Sequence, residues 1–298
     1  MVLMDEVSLR RPTCAVVAGY FLISLCGETK VMQKVAVITG AASGIGKGLA
    51  ERFAAEGMKV VIADVEEEAL AELESNLKAK GATVLAVETD VSDPDAVENL
   101  AVQTLDTFGA VHILCNNAGV VCSRPVWEHT LADWEWVLGV NLWGVIHGVR
   151  SFVPRMLAQA DKCHIVNTAS ILGLVGGSGE GIYKVSKHGV VVLSETLADE
   201  LAQKGANIQV HVLCPGWVRT GILESTRNRP DVLQNPVEKS PDIVIGGSRN
   251  TRAEMEAGLS PAEVAEHVYN AIQNGTFYIH THPEHKAWIR ERMARILE

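Results

Sequence analysis

Aromatic side chains make up only 5% of the 298 residues, and none of the six cysteines stands in a C-x-x-C spacing. That spacing argues against a dithiol redox motif and against a zinc ribbon. Cys14, Cys26, Cys115, Cys122, Cys163 and Cys214 are scattered through a long chain, as expected for reduced, mostly buried thiols in a cytoplasmic protein rather than for a disulfide framework. There is no block of basic residues, and the net charge is −10. Binding to nucleic acid phosphates needs a cationic surface, so nucleic acid is excluded as the main partner. The apolar run at 15–25 is too short to cross a bilayer, which takes about 20 apolar residues, so no membrane association is expected. His280, His282 and His285 crowd towards the C-terminus, but no second group of ligands accompanies them and no metal site is expected.

Arg10 and Arg11 ahead of that apolar run imitate the layout of a short secretion signal. Met32 stands just before the first strand pattern. Residues 1–31 are therefore read as a poorly ordered, dispensable extension, and 32–298 as one domain.

The remainder is rich in core-forming residues. Hydrophobic residues reach 47%, well inside the globular range. Short apolar runs at 35–39, 60–63, 83–87, 112–115, 164–169, 208–214 and 277–279 read as strands. Helical patterns fall at 45–56, 66–80, 94–108, 131–157, 183–203, 261–274 and from 283 onward. Strands that alternate with helices predict an α/β domain, because parallel neighbours need crossover connections. The expected architecture is a doubly wound parallel sheet of about seven strands with helices on both faces, binding ligands at the strand carboxyl ends. Residues 220–258 break the alternation. They are polar, with Pro230, Pro236, Pro241 and Gly246-Gly247, and read as a substrate lid.

The chemistry-bearing residues fall just after strands. Gly40, Gly44 and Gly46 permit a tight turn and the close approach of a pyrophosphate to the amides of the following helix. A Walker A loop does not fit, since Gly40 and Gly46 are one residue too far apart and Gly48 replaces the required Ser/Thr. Asp64 ends the second strand, where a carboxylate accepts ribose hydroxyls and repels a 2′-phosphate, so NAD is preferred to NADP. Tyr183 and Lys187 are four residues apart in one helix, a rise of about 6 Å on the same face. Use of a tyrosine as a base near neutrality requires a downward shift of roughly 3 pKa units, or about 4 kcal/mol. One ammonium about 5 Å away supplies roughly 3 kcal/mol at an effective dielectric of about 20, and a cationic nicotinamide would add to this.

With these motifs the chain resembles the short-chain dehydrogenase/reductase family, from Met32 to its end. The family's glycine turn appears as 39–46, with Gly40, Ser43, Gly44, Ile45 and Gly46, and its adenine-pocket acid as Asp90 followed by Val91. Its Asn-Asn-Ala-Gly segment appears as Asn116, Asn117, Ala118 and Gly119, and its nicotinamide loop as 215–220, with Pro215, Gly216, Val218 and Thr220. The resemblance identifies Asn141, Ser170, Tyr183 and Lys187 as the catalytic tetrad. It implies a Rossmann-like fold and hydride transfer between a substrate carbinol carbon and the nicotinamide of NAD. In that scheme Tyr183 exchanges the hydroxyl proton, Ser170 holds the substrate oxygen, Lys187 binds the nicotinamide ribose and Asn141 holds a water in the proton relay. It also implies a homotetramer joined through the helices at 131–157 and 183–203. Ile171, Leu172, Leu174 and Val175 suggest an apolar pocket wall, and Trp127 and Trp217 suit the substrate mouth. The expected substrate is a hydrophobic secondary alcohol or its ketone. A nucleotide-sugar epimerase and a non-catalytic NAD sensor remain alternatives.

Overall fold

The computed structural model describes residues 34–159, 161–236 and 251–298. The expected extension 1–31 and the stretch 237–250 of the expected lid lie outside the described residues. Strand β1, Val35–Thr39, shows why the sheet is covered on both sides. Ala36 and Ile38 pack with Leu49, Phe53, Leu73 and Val268, whereas Val35 and Val37 pack with Leu100, Phe152, Met156 and Leu201. Successive side chains leave a strand on opposite faces, so a continuous apolar run is what a doubly covered strand requires.

The chain continues through α1 (Gly44–Ala55), β2 (Lys59–Asp64), α2 (Glu67–Ala79), β3 (Val84–Glu88), α3 (Pro94–Phe108) and β4 (Ile113–Asn116). Helices α4 (Leu131–Leu138) and α5 (Gly144–Gln159) then lead to β5 (Cys163–Thr168), α6 (Gly181–Gln203) and β6 (Ile208–Cys214). Short α7 (Thr251–Glu256), α8 (Pro261–Asn274), β7 (Tyr278–His280) and α9 (Lys286–Leu297) complete it. All seven strands are parallel, in the order β3-β2-β1-β4-β5-β6-β7. The expected α/β sheet is therefore present, and its order reverses between β1 and β4, where ligands bind in such sheets.

Local chemistry sets the helix ends. Asp93 caps α3 by accepting from Asp95 N–H, Pro94 opens the helix, and Gly109 closes it with φ 77°. Thr130 and Asp133 form a capping box on α4, and Ser260 and Glu263 form another on α8.

Three expectations need correction. The helix expected over 131–157 is interrupted by a π-helical turn, Gly139–Trp143, between α4 and α5. Gly144 packs so closely on Val91 that a Cβ there would stand 2.7 Å from Val91 Cγ2, and the Asn141 amide exchanges hydrogen bonds with the Val120 backbone. The extra residue in the turn accompanies these contacts, as π-bulges often do near functional sites. The lid segment is less irregular than its composition implies: Ile222–Asn228 and Asp231–Leu233 are 3-10 turns, and α7 follows. The terminal helix begins at Lys286, after a 3-10 turn over Pro283–His285.

Candidate active site

At the carboxyl end of β1 the chain turns sharply into α1. Gly40 has φ 65°, and a Cβ on Gly46 would lie 2.0 Å from the Gly40 carbonyl oxygen, so neither position accepts a side chain. Ser43 stands at the N-cap of α1 without a side-chain bond to the first-turn amides. Those donors, with the helix dipole behind them, form an anion cradle that opens on the cavity beside Ser43, Gly44 and Ile45.

The end of β4 is tied to this turn. Thr39 Oγ1 accepts from the N–H groups of Asn117 (2.9 Å) and Ala118 (3.2 Å), and Asn117 Nδ2 donates to the Thr39 carbonyl (3.0 Å). Thr168 Oγ1, at the end of β5, donates to Asn117 Oδ1 (3.2 Å). At the end of β2, Asp64 accepts from the N–H groups of Ala42 (2.9 Å) and Glu66 (3.2 Å). Burial raises its pKa above the ordinary carboxylate value, and these backbone donors pull in the opposite direction.

A cavity of about 1110 Å³ runs over these strand ends. Single-ligand pockets span about 300–1,000 Å³, so this one has room for a nucleotide and a second molecule. Of the residues expected at the site, Asp64, Asp90, Val91, Asn117, Ala118, Gly119, Ser170, Tyr183, Lys187, Pro215, Gly216, Val218 and Thr220 line it with the glycine turn. Gly46 and Asn141 do not. Gly46 lies behind the turn, and the fully buried Asn141 bonds through its side chain to the Val120 N–H, the Val120 carbonyl and Ser186.

Tyr183 and Lys187 share a face of α6, with Lys187 Nζ 5.6 Å from the Tyr183 ring centroid and donating to the Thr168 carbonyl (2.8 Å). Burial pushes the Tyr183 phenol up to about 12; a hydrogen bond from Ser170 draws it down and the Glu180 charge raises it. Burial also brings the Lys187 ammonium down to about 8. The expectation that the lysine nearly suffices to make a phenolate at neutral pH is therefore not met by the protein groups alone. Desolvation is the largest influence on both members and disfavours the charged form of each.

Other functional candidates escaped the sequence reading. Lys184 lines the cavity next to Tyr183, donating to the carbonyls of Ser178 (2.8 Å) and Gly179 (2.7 Å) and lying 3.5 Å from the buried Glu180 carboxylate. Glu180 has φ 46°, the one positive value outside glycine among the described residues. Met255 of α7 and Trp288, Glu291 and Arg295 of α9 also line the cavity. Trp127, expected at the mouth, is 84% exposed and takes no part in it, whereas Trp217 does. Ile171, Leu172 and Val175 form the expected apolar wall against Tyr183 and Ile289, while Leu174 packs elsewhere. Cys115 and Cys214 are buried free thiols whose pKa values burial raises well above the usual one. Of the three C-terminal histidines, His280 stacks on Tyr278, His282 on His285, and His285 on Trp288. Cys122, His129 and Asp133 do come together, but Asp133 already pairs with Arg229, a poor neighbour for a dication.

The architecture and this cleft are those of an oxidoreductase built on a dinucleotide-binding sheet. Residues 34–231 match the short chain dehydrogenase family, and the chain belongs to it. A short chain dehydrogenase/reductase from Burkholderia phymatum, solved in complex with NAD, shares 45% identity and superposes with a TM-score of 0.86 over 89% of this chain and 94% of that one. The CLA biosynthesis dehydrogenase/reductase of Lactiplantibacillus plantarum is 34% identical over 89% of this chain and 93% of its own length. The 1-deoxy-11-beta-hydroxypentalenate dehydrogenase of Streptomyces exfoliatus is 36% identical over 88% of both. No helix among the described residues is long and apolar enough to cross a membrane.

Asp133 also ties the expected lid to α4. It accepts from Arg229 Nη1 (2.6 Å), Asn235 Nδ2 (2.8 Å) and Thr130 N–H (3.0 Å). Burial alone would raise its pKa, but these donors hold it at about 2, below the ordinary 3.8. A depressed carboxylate contributes stability above its unfolded pKa and loses it as pH falls through the folded one. Asp133→Asn is accordingly expected to lower stability by about 2 kcal/mol at pH 6, with the gap to wild type closing between about pH 4 and pH 2. Urea titrations across that range measure it; a gap independent of pH would contradict the ionic origin.

Proposed function

We propose that the protein interconverts a hydrophobic secondary alcohol and its ketone with NAD, and that Tyr183 carries the hydroxyl proton. The observation that carries this reading is that Tyr183, Ser170 and Lys187 open onto the same cavity as the uncapped N-terminus of α1. The glycine cradle fits a pyrophosphate, and Asp64 at the end of β2 fits a ribose. When bound, the nicotinamide supplies the hydride acceptor at C4 and, in its oxidised form, a positive charge beside Tyr183.

In oxidation, Ser170 donates to the substrate oxygen and holds the carbinol against Tyr183. With the dinucleotide bound, the Tyr183 phenolate would take the hydroxyl proton and the nicotinamide would supply the acceptor for the carbinol hydride, so that one alcohol and one NAD⁺ would give one ketone, one NADH and one proton. Lys187, anchored by the Thr168 carbonyl, holds its charge beside the phenol and offers its remaining donors to the nicotinamide ribose. Asn141 fixes the Val120 backbone at the edge of the cavity. Ile171, Leu172 and Val175 favour an apolar substrate body. The relative named for hydroxypentalenate supports an alcohol substrate.

Tyr183→Phe is expected to reduce turnover by at least about 10²-fold while NAD binding stays near wild type. Oxidation by wild type should rise with pH through the tyrosine titration, and the variant should lack that rise. A residual rate above about a tenth of wild type would remove Tyr183 from the role.

Asp64 is proposed to select NAD. Replacing it together with the exposed Val65, as Asp64→Ala and Val65→Arg, removes the repulsion and adds a phosphate partner. The ratio of NADP to NAD affinity should rise by about tenfold or more, the scale of one charge-assisted contact. Cofactor titrations test this, and a wild type that already favours NADP would overturn the assignment.

Val185 and Val192 on α6 and Trp143 in the π-turn are more than half exposed. With the family resemblance, this supports a homo-oligomer, proposed as a tetramer, joined through these helices. Light scattering at micromolar concentration is expected to give a tetramer mass, and a monomer mass would contradict it.

A further inference from the structure

The 3-10 turn Ile222–Asn228 crosses the cavity and is held on its two sides by bonds of different character. On the substrate side, Ser225 Oγ accepts from Val121 N–H (3.0 Å) and donates to the Val121 carbonyl (3.3 Å), and Arg229 next to the turn pairs with Asp133 (2.6 Å). These anchors are buried, the Asp133 and Arg229 side chains being 0% and 5% exposed. On the side where α2 begins, Glu66 Oε1 forms an ion pair with Arg227 (2.5 Å) and accepts a hydrogen bond from Asn228 Nδ2 (2.6 Å). Glu66 and Arg227 are 24% and 41% exposed. Glu66 also donates its N–H to Asp64, so these bonds stand at the edge of the position proposed for the adenosine ribose.

The contrast decides which side opens. Breaking a buried pair leaves an uncompensated charge, whereas a partly exposed pair yields to water and is screened by salt. A turn that opened would on this contrast stay with Val121 and Asp133 and separate from Glu66. Glu66, Arg227, Asn228 and Ser225 all line the cavity, so this separation widens it at the adenosine end.

We propose that Glu66 is a positioning residue for the cofactor: through Arg227 and Asn228 it latches the 222–228 turn over the adenosine half of the bound dinucleotide and sets how long the cofactor stays. This rests on the NAD reading given above. Neither side chain touches the reacting atoms, so the effect lies in cofactor residence and KM rather than in the proton-transfer step.

Stopped-flow displacement of NADH from wild type, Glu66→Ala, Arg227→Met and the double variant tests the latch. Each single variant is expected to release NADH about three- to tenfold faster, as loss of a partly exposed charge-assisted contact predicts, and the double variant no faster than the faster single. Raising the salt concentration should speed release from wild type and leave the variants nearly unchanged. Unchanged release in both singles, or additive effects in the double, would overturn the proposal. So would faster release in Glu66→Ala alone, which would make Glu66 a direct cofactor contact. If wild type bound no NADH, the NAD reading itself would fail. Amide exchange over 222–228 would then decide the latch, faster exchange in Glu66→Ala supporting closure by Glu66 and equal exchange overturning it.

Discussion

The joint between Thr39 and Asn117 is the constraint on which the cleft depends. At the reversal of strand order the connections after β1 and β4 leave for opposite faces of the sheet, which opens a crevice and leaves two strand ends without further ladder bonds. One threonine hydroxyl and one amide close that seam, with Thr39 Oγ1 serving two backbone donors and Asn117 Nδ2 serving the Thr39 carbonyl. The two loops come so close that a Cβ on Gly40 would stand 2.7 Å from Ala118 Cα. The same approach that forces glycine into the turn thus lowers the floor of the cavity and leaves the α1 amides facing into it.

The second constraint is electrostatic. The cavity that suits an apolar substrate also desolvates Tyr183 and Lys187, raising the phenol to about 12 and lowering the ammonium to about 8. A helical spacing of four residues therefore guarantees proximity but not acidity. The simple Coulomb estimate of about 3 kcal/mol leaves out the cost of taking both charges from water. Lys187 at about 8 is still mostly charged at neutral pH, and its bond to the Thr168 carbonyl directs that charge. Glu180, held in a left-handed conformation beside Lys184, adds a negative charge that opposes phenolate formation. A positively charged nicotinamide is the partner that would offset both burial and Glu180.

Which parts were legible in the sequence follows from the range of the interactions. The strand β1, the glycine turn and the Asp93, Pro94 and Gly109 ends of α3 are written in contiguous residues, and local steric rules suffice to read them. Alternation placed the loop that carries Ser170 and leads to Tyr183 and Lys187 at the strand ends, since a parallel sheet puts every βα loop on one edge, and the family resemblance picked out the three as a set. The π-turn was not legible, because it depends on Val91 packing against Gly144 and on Asn141 reaching Val120. Asp133–Arg229 joins residues 96 apart, and no pattern in either segment announces the other. Trp127 and Trp288 mark the same limit. Composition ranks them alike, and only the packing of α9 decides that Trp288 faces the cavity.

The rigid strand ends carry the groups proposed to handle a nucleotide and a proton, and their positions are fixed by the register of the sheet. The other walls of the cavity come from elsewhere: the 171–180 segment, the 222–233 turns, α7 and α9. α9 has no fully buried residue, and Arg292 reaches back to the Leu174 carbonyl (3.2 Å). Elements held by so few bonds can change sequence with little penalty to the core. The match at 34–231 ends within the 222–233 turns, leaving α7 and α9 beyond it. The groups proposed for the chemistry and the outer walls thus belong to different layers of one cavity, and in the looser layer Trp288, Glu291 and Arg295 add one aromatic face and both signs of charge.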